Sequence, residues 1–256
     1  GKHSGLIGLY KLYKELKSKG IDGVADIHNV LRTNILKFYF KGSKIPFKQI
    51  NKGRRDKYAL TRYKFKVFEP LKPSYQRYAD VFAALGFPID LSEKYLLPTP
   101  SMSEPVKNLF NGANVHIGVA PFASYVSKQY PFDKICNVIE KLSERYPNGK
   151  IYIFGGGKEE EQKVAQIQLP NTENMVGKLS FKQELELISH LDLMIGMDSG
   201  NAHLSAMYGV PTITLWGVTH PYAGFYPYAQ PKENALLADR TQFPLIPTSA
   251  YGKKYP

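Results

Sequence analysis

Apolar residues at the start of the chain recur at helical spacing. Leu6, Leu9, Tyr10, Tyr13 and Leu16 share one face and Gly20 follows as a stop, which predicts a helix over 5–18. The run Val24, Ala25, Asp26, Ile27 predicts a strand, and 32–40 a second helix. From 42 to 73 the chain is basic and aromatic with no sustained period, so loop with short elements is expected there, followed by a helix over 75–85. Pro88, Pro98, Pro100 and Pro105 then mark the best linker in the sequence.

Beyond residue 113 the pattern becomes regular. Strands are predicted at 115–120, 150–154, 174–176, 191–197 and 212–216, separated by helices at 133–144, 159–167, 181–190 and 201–208. Within 133–144, Ile135, Val138, Ile139 and Leu142 form one stripe, the face a helix lays on a sheet. Alternating strands and helices with short connections predict an α/β fold with a parallel, doubly wound sheet. Two domains are therefore expected, a Rossmann-like one at 113–256 and an N-terminal one at 1–105. The latter has too few strands for a comparable sheet and is expected to be incomplete.

Composition narrows the function classes. With 256 residues and 43% hydrophobic content the chain can bury a full core, and its single cysteine, Cys136, excludes an intramolecular disulfide framework. No apolar run approaches the roughly 20 residues needed to span a bilayer, and the first residues lack the apolar core of a signal peptide, so a cytoplasmic protein is expected. The formal charge of +12 is concentrated at one end: residues 1–66 hold 17 Lys and Arg against 4 Asp and Glu, and the remainder is close to neutral. Such a segment is a solvated face or an attractor for an anionic partner. Nucleic acid is not expected, because zinc-finger spacing, an RNP-like aromatic signature and a helix-turn-helix pattern are all missing from the sequence.

Candidate chemistry gathers at the predicted carboxyl ends of the strands. Leu193 to Met197 runs into Asp198-Ser199-Gly200-Asn201, a polar turn that opens a helix. Its N–H groups at Ser199, Gly200 and Asn201 suit a phosphate, with the helix dipole behind them. Asp198 is either a helix cap or a ligand group, and His203, one turn on, either reaches the same anion or is structural. After the strand at 115–120, Ser124, Ser127 and Lys128 offer hydroxyls and an ammonium; Lys128 either meets phosphate or solvates the surface. After the strand at 150–154, Gly155-Gly156-Gly157 precedes Glu159 and Glu161, and a carboxylate there suits ribose hydroxyls.

Ser124 to Lys128 with Pro131, Gly155-Gly156 with Glu159, and Asp198-Ser199-Gly200 with His203-Leu204, Pro211 and Gly217 together resemble the donor half of the heptosyltransferases of lipopolysaccharide synthesis, glycosyltransferase family 9. The stretch from Val24 to Thr33 is similar to a strand and loop of their acceptor domain. The resemblance implies a GT-B architecture of two Rossmann-like domains, an ADP-heptose donor, inverting transfer to an inner-core acceptor, and no metal or other cofactor. By position, Ser124, Ser127 and Lys128 would meet the diphosphate, Glu159 the ribose and Leu179 the adenine, while Asp198, Ser199, Gly200 and His203 would complete the phosphate pocket.

The acceptor implied is an anionic, lipid-linked saccharide, which a basic segment would attract at the inner face of the inner membrane. Arg32, Arg54 and Arg55 are the leading acceptor-binding candidates, with Lys37, Lys41, Lys44, Lys48, Lys52 and Lys57 behind them. Members of the family begin with a strand and a Gly-Asp loop carrying the general base, and no such segment precedes Gly1. The base is therefore expected upstream of Gly1, with Asp26 a poor substitute, and the chain is expected to be shortened at both ends. A nucleotide- or anion-binding GT-B-like protein without catalysis is the alternative.

Overall fold

The computed structural model describes residues 2–253; the expected base before Gly1 and the chain end at 254–256 lie outside the described residues. The chain divides into two units, one formed by 1–56 and 71–93, the other by 57–70 and 94–256.

In the smaller unit, α1 (Gly5–Ser18) and α2 (Leu31–Phe40) pack on each other, and β1 (Val24–Asp26) pairs in parallel with β2 (Phe47–Gln49). Tyr13 meets Phe40 edge to face at 4.9 Å, and Phe40 is 2% exposed. The helix α3 (Arg54–Thr61) crosses from one unit into the other, and α4 (Ser74–Ala83) returns to the smaller one. Arg77 on α4 is buried and donates to the carbonyls of Lys72 and Asn51, fixing the turn that ends at Gly53. Gly53 has φ +60° and its missing side chain is the space the guanidinium occupies.

The larger unit contains α5 (Glu104–Phe110), β3 (His116–Ala120), α6 (Phe132–Arg145), β4 (Lys150–Ile153), α7 (Lys158–Val164), β5 (Thr172–Asn174), α8 (Phe181–Ser189), β6 (Leu193–Met197), α9 (Gly200–Met207), β7 (Thr212–Trp216) and β8 (Ala235–Leu237). All six strands are parallel, in the order β5-β4-β3-β6-β7-β8. Alternation along β4 shows why both faces are covered. Ile151 and Ile153 join Ile135 and Ile139 of α6 on one side, while Tyr152 and Phe154 join Leu187 and Ile188 of α8 on the other. Each of these side chains is at most 1% exposed, and such burial contributes roughly 1.5–3 kcal/mol per large apolar residue. Among the described residues no helix is long and apolar enough to cross a membrane.

Three features depart from the sequence expectation. The segment 57–70 belongs with the larger unit rather than with a domain running to 105. It is held there by Lys66, whose Nζ donates to Leu60 O at 3.1 Å and Pro247 O at 2.5 Å, and by Phe68, which meets His220 edge to face and Tyr222 at a tilt, with the Arg240 guanidinium over its ring. Helix α5 lies in the proline-punctuated stretch expected as linker; Ser103 before it donates its N–H and hydroxyl to the buried Glu186 carboxylate on α8. The short edge strand β8 carried no period long enough to predict.

His220 is 3% exposed, and burial, with the charge of Arg240, pushes its pKa down to about 4. In the unfolded chain the imidazole titrates near 6.5. Between those values the unfolded chain holds a proton that the folded chain excludes, so this contribution is complete above about pH 6.5 and is lost as the pH falls toward 4. Urea unfolding is expected to show stability declining through that window by up to about 1.4 kcal/mol per pH unit from this group. His220→Gln should make the descent shallower, and an unchanged slope would assign it to other groups.

Candidate functional site

Strands β3 and β6 are hydrogen-bonded neighbours, yet the chain leaves β3 toward β4 and β5 and returns at β6 before moving to β7 and β8. The order reverses between them, and at such a point the loops leaving the two carboxyl ends diverge and open a crevice. Ala120 pairs with Gly196, a register that sets Pro121 beside Met197 and brings the turn at Asp198 next to the loop that follows β3. A 3-10 turn, Val126–Lys128, then brings Lys128 back over the β6 end. Its Nζ lies 2.8 Å from Asp198 Oδ2, with the two side chains only 16% and 6% exposed.

Helix α9 opens at the same place. Its cap is Ser199, in extended backbone and with no side-chain capping bond, and the Asp198 carboxylate is turned to Lys128. The first-turn N–H groups thus receive no cap from either side chain. Helix α9 packs on the strand through small residues: a Cβ at Gly196 would stand 3.7 Å from Ala120 Cβ and from Ala202 Cβ, ordinary van der Waals contact, so an alanine would fit there. Gly200 and Gly156 are different, because a Cβ on either would meet nothing within 4 Å and neither has positive φ. Neither turn geometry nor packing calls for glycine at these two positions, which face open space.

Between them lies a cavity of about 250 Å³ lined by Ser124, Phe122, Gly155, Gly156, Glu160 and Ser199 among others. Glu160 Oε2 accepts from Gly156 N at 2.7 Å, bracing the glycine turn, and a Cβ at Gly155 would crowd both that oxygen and the Phe122 ring. His203, half-buried one turn into α9, has its pKa lowered by burial; Asp198 pulls it up and Lys128 pushes it down, with the net shift downward. A neutral imidazole at pH 7 therefore stands behind the ion pair.

The structure brings together Ser124, Lys128, Asp198, Ser199 and Gly200. Ser127 is elsewhere engaged: its buried hydroxyl donates to Gly252 O. Glu159 points to solvent and pairs with Lys163 at 2.8 Å, while Leu179 is partly buried against the α8 core. Asn201, whose N–H the sequence had already offered to a phosphate, lines the cavity, and so do Glu160 and Phe122, which were not singled out from sequence; the triple glycine was the available signal for Glu160.

In the smaller unit, Arg32 Nη2 donates to His3 O at 3.3 Å and Arg54 Nη2 to Asn29 O at 2.8 Å, and all three arginines, 32, 54 and 55, are exposed. Lys57 is a correction. It is 5% exposed in the larger unit, with Nζ 4.1 Å from the Phe225 ring centroid and 5.3 Å from that of Tyr251, and so is not a surface cation. Asp26 is also buried. Burial raises its pKa, but hydrogen bonds from Asn29 N and Gln49 Nε2, with Thr33 and His28 N, outweigh that and leave it lowered. Its oxygens close the turn after β1, a structural task.

Residues 9–249 match the sequence model of glycosyltransferase family 9 (heptosyltransferase). The chain belongs to this family. A lipopolysaccharide core heptosyltransferase of Haemophilus influenzae is 24% identical over 86% of this chain and 64% of its own length. A lipopolysaccharide heptosyltransferase 1 of Campylobacter coli is 29% identical over 61% of this chain and 43% of its own. The chain thus spans less than two thirds of either relative. The crystal structure of a family 9 glycosyltransferase from Veillonella parvula superposes with a TM-score of 0.67 at 20% identity, covering 93% of this chain and 69% of that one. The E. coli heptosyltransferase WaaC with ADP gives 0.62 at 16% identity, covering 91% and 70%. The fold is the GT-B type of these family 9 proteins, with Rossmann-like α/β construction. Among the described residues no group of three or more His, Cys, Asp or Glu is placed to hold a metal ion.

Because Lys128 and Asp198 are largely buried, removing one leaves the other uncompensated. Asp198→Ala is expected to destabilise the chain by on the order of 3 kcal/mol, and adding Lys128→Met to recover part of that loss. Denaturant titration of both single variants and the pair measures this coupling, and strictly additive losses would show that the pair contributes nothing.

Proposed function

We propose that this chain acts in transfer of a heptose, or a related sugar, from an ADP-sugar to an anionic inner-core lipopolysaccharide acceptor. Transfer proceeds with inversion and without a metal. The observation that carries this reading is the Lys128–Asp198 pair set against the uncapped start of α9 and beside the cavity. The relatives' names supply the sugar and the acceptor class, and the solved WaaC structures with ADP and ADP-2-deoxy-2-fluoro heptose supply the nucleotide.

The donor's diphosphate lies across the first turn of α9, accepting from the N–H groups of Ser199 and Gly200, with Lys128 and Ser124 donating to its outer oxygens. Asp198 holds the ammonium in place before the donor arrives. As the acceptor hydroxyl attacks the anomeric carbon, the bond to the diphosphate breaks and negative charge builds on the departing ADP. Lys128 and the helix N-terminus, already oriented, stabilise that charge without further reorganisation. A divalent cation would serve the same end, which is why none is required.

Glu159 takes the ribose hydroxyls by leaving its solvent-exposed pair with Lys163, while Glu160 keeps the glycine turn in shape. On the acceptor side Arg32, Arg54 and Arg55 supply exposed positive charge for a phosphorylated or carboxylated saccharide, presented at the inner membrane surface. The commitments of Asp26 disqualify it as the general base, since a carboxylate of lowered pKa that already accepts several hydrogen bonds is a weak proton acceptor.

Calorimetric titration with ADP tests the first step. The chain is expected to bind ADP, and Lys128→Ala to weaken binding roughly 10- to 100-fold, the value of a hydrogen bond to a charged group. Gly200→Ala is expected to weaken it about tenfold while leaving the melting temperature within a few degrees, because the added methyl meets only ligand. Loss of ADP binding in neither variant would remove the diphosphate from this turn. Release of ADP from ADP-heptose in the presence of an inner-core acceptor separates a transferase from a binder.

A further inference from the structure

Lys128 is held from behind by a segment with no assigned role. Residues 248–252 run beneath it, tied to the loop after β7 by Thr248 N and Ser249 N, which both donate to Val218 O at 3.0 and 3.2 Å. The segment is closed on itself by Gly252 N donating to Ser249 Oγ at 2.9 Å, and Ser249 is 9% exposed. It is closed on the 3-10 turn by the buried Ser127 hydroxyl, which donates to Gly252 O. Gly252 is buried and has φ +73°; the place of its missing side chain is filled by Lys128, whose Cγ and Cδ a Cβ would overlap. On the other side, a Cβ at Gly217 would approach Ser127 O to 3.0 Å, so the β7 loop is pressed against the same turn.

A lysine stem has four rotatable bonds and an exposed one samples many rotamers. Here the stem threads a slot whose floor is a glycine, and only its Nζ emerges, toward Asp198. We propose that residues 248–252 are a positioning strap for Lys128, with Gly252 and Ser127 the positioning residues that present its ammonium to the donor's diphosphate. Ser127 thus serves the donor through Gly252 and Lys128 rather than by touching phosphate. The proposal rests on the reading of Lys128 as a diphosphate ligand.

The test is a cycle of ADP titrations on the purified chain with Gly252→Ala, Ser127→Ala and Lys128→Ala, alone and combined. Gly252→Ala is expected to weaken ADP at least tenfold when Lys128 is present and less than twofold in the Lys128→Ala chain, where no stem is displaced. Ser127→Ala, which adds no atoms and no backbone strain, is expected to weaken ADP several-fold with the same dependence on Lys128; it carries the test if Gly252→Ala does not fold. Equal losses with and without Lys128 would overturn the strap, since general strain would act in both. If Lys128→Ala leaves ADP affinity unchanged, the donor reading of Lys128 fails and the strap is read from crystal structures of the variants. A Lys128–Asp198 separation beyond 4 Å in Ser127→Ala then supports it, and an intact pair overturns it.

Discussion

Lys128 and Asp198 can form a largely buried ion pair only because β3 and β6 are adjacent strands whose chains travel in opposite directions across the sheet. Withdrawing an ammonium from water is costly, and the cost is met here by one carboxylate at 2.8 Å. The pair therefore requires the strand register that places Ala120 beside Gly196 and the turn that returns Lys128 over the strand end. On the proposed reading, a diphosphate entering this place finds a cation already fixed and helix N–H groups already aimed, so little must reorganise on binding or as charge develops.

The surrounding unit is built to keep that edge rigid. Alternating side chains on β4 feed two separate apolar clusters, one under α6 and one under α8, and several of the largest residues are fully buried. Loops at the carboxyl ends are then free to carry polar groups, because the sheet and not the loops supplies the stability. The segment 57–70 and residues 248–252 add a second layer. Lys66 donating to Pro247 O and the Val218 carbonyl taking two N–H groups join distant parts of the chain behind the site.

Much of this was legible in the residues. The strand at 212–216 and the helix at 5–18 coincide with their predicted bounds, and the other long elements of the larger unit differ by a few residues, because apolar period and glycine stops act locally. The strand, polar turn and helix around Asp198 were legible for the same reason, since they follow one another in sequence. What was hidden depends on distance along the chain. The basic stretch 57–70 has no period, and its place is set by Phe68 on His220 and by Lys57 on Phe225, contacts between segments far apart. The choice between Asp198 as helix cap and as ion-pair partner also lay outside local sequence, since it turns on where Lys128 arrives. Ser127 was singled out as a hydroxyl near phosphate, but alternation within a tight turn sends it inward to Gly252.

The central claim is that the start of α9, with Lys128, is where the donor's diphosphate binds. A crystal structure of this chain with ADP tests it most directly. The account predicts both phosphates against the N–H groups of Ser199 and Gly200, with Lys128 Nζ within about 3 Å of a phosphate oxygen. ADP bound elsewhere, or its phosphates turned to solvent with the Lys128–Asp198 pair untouched, would contradict it.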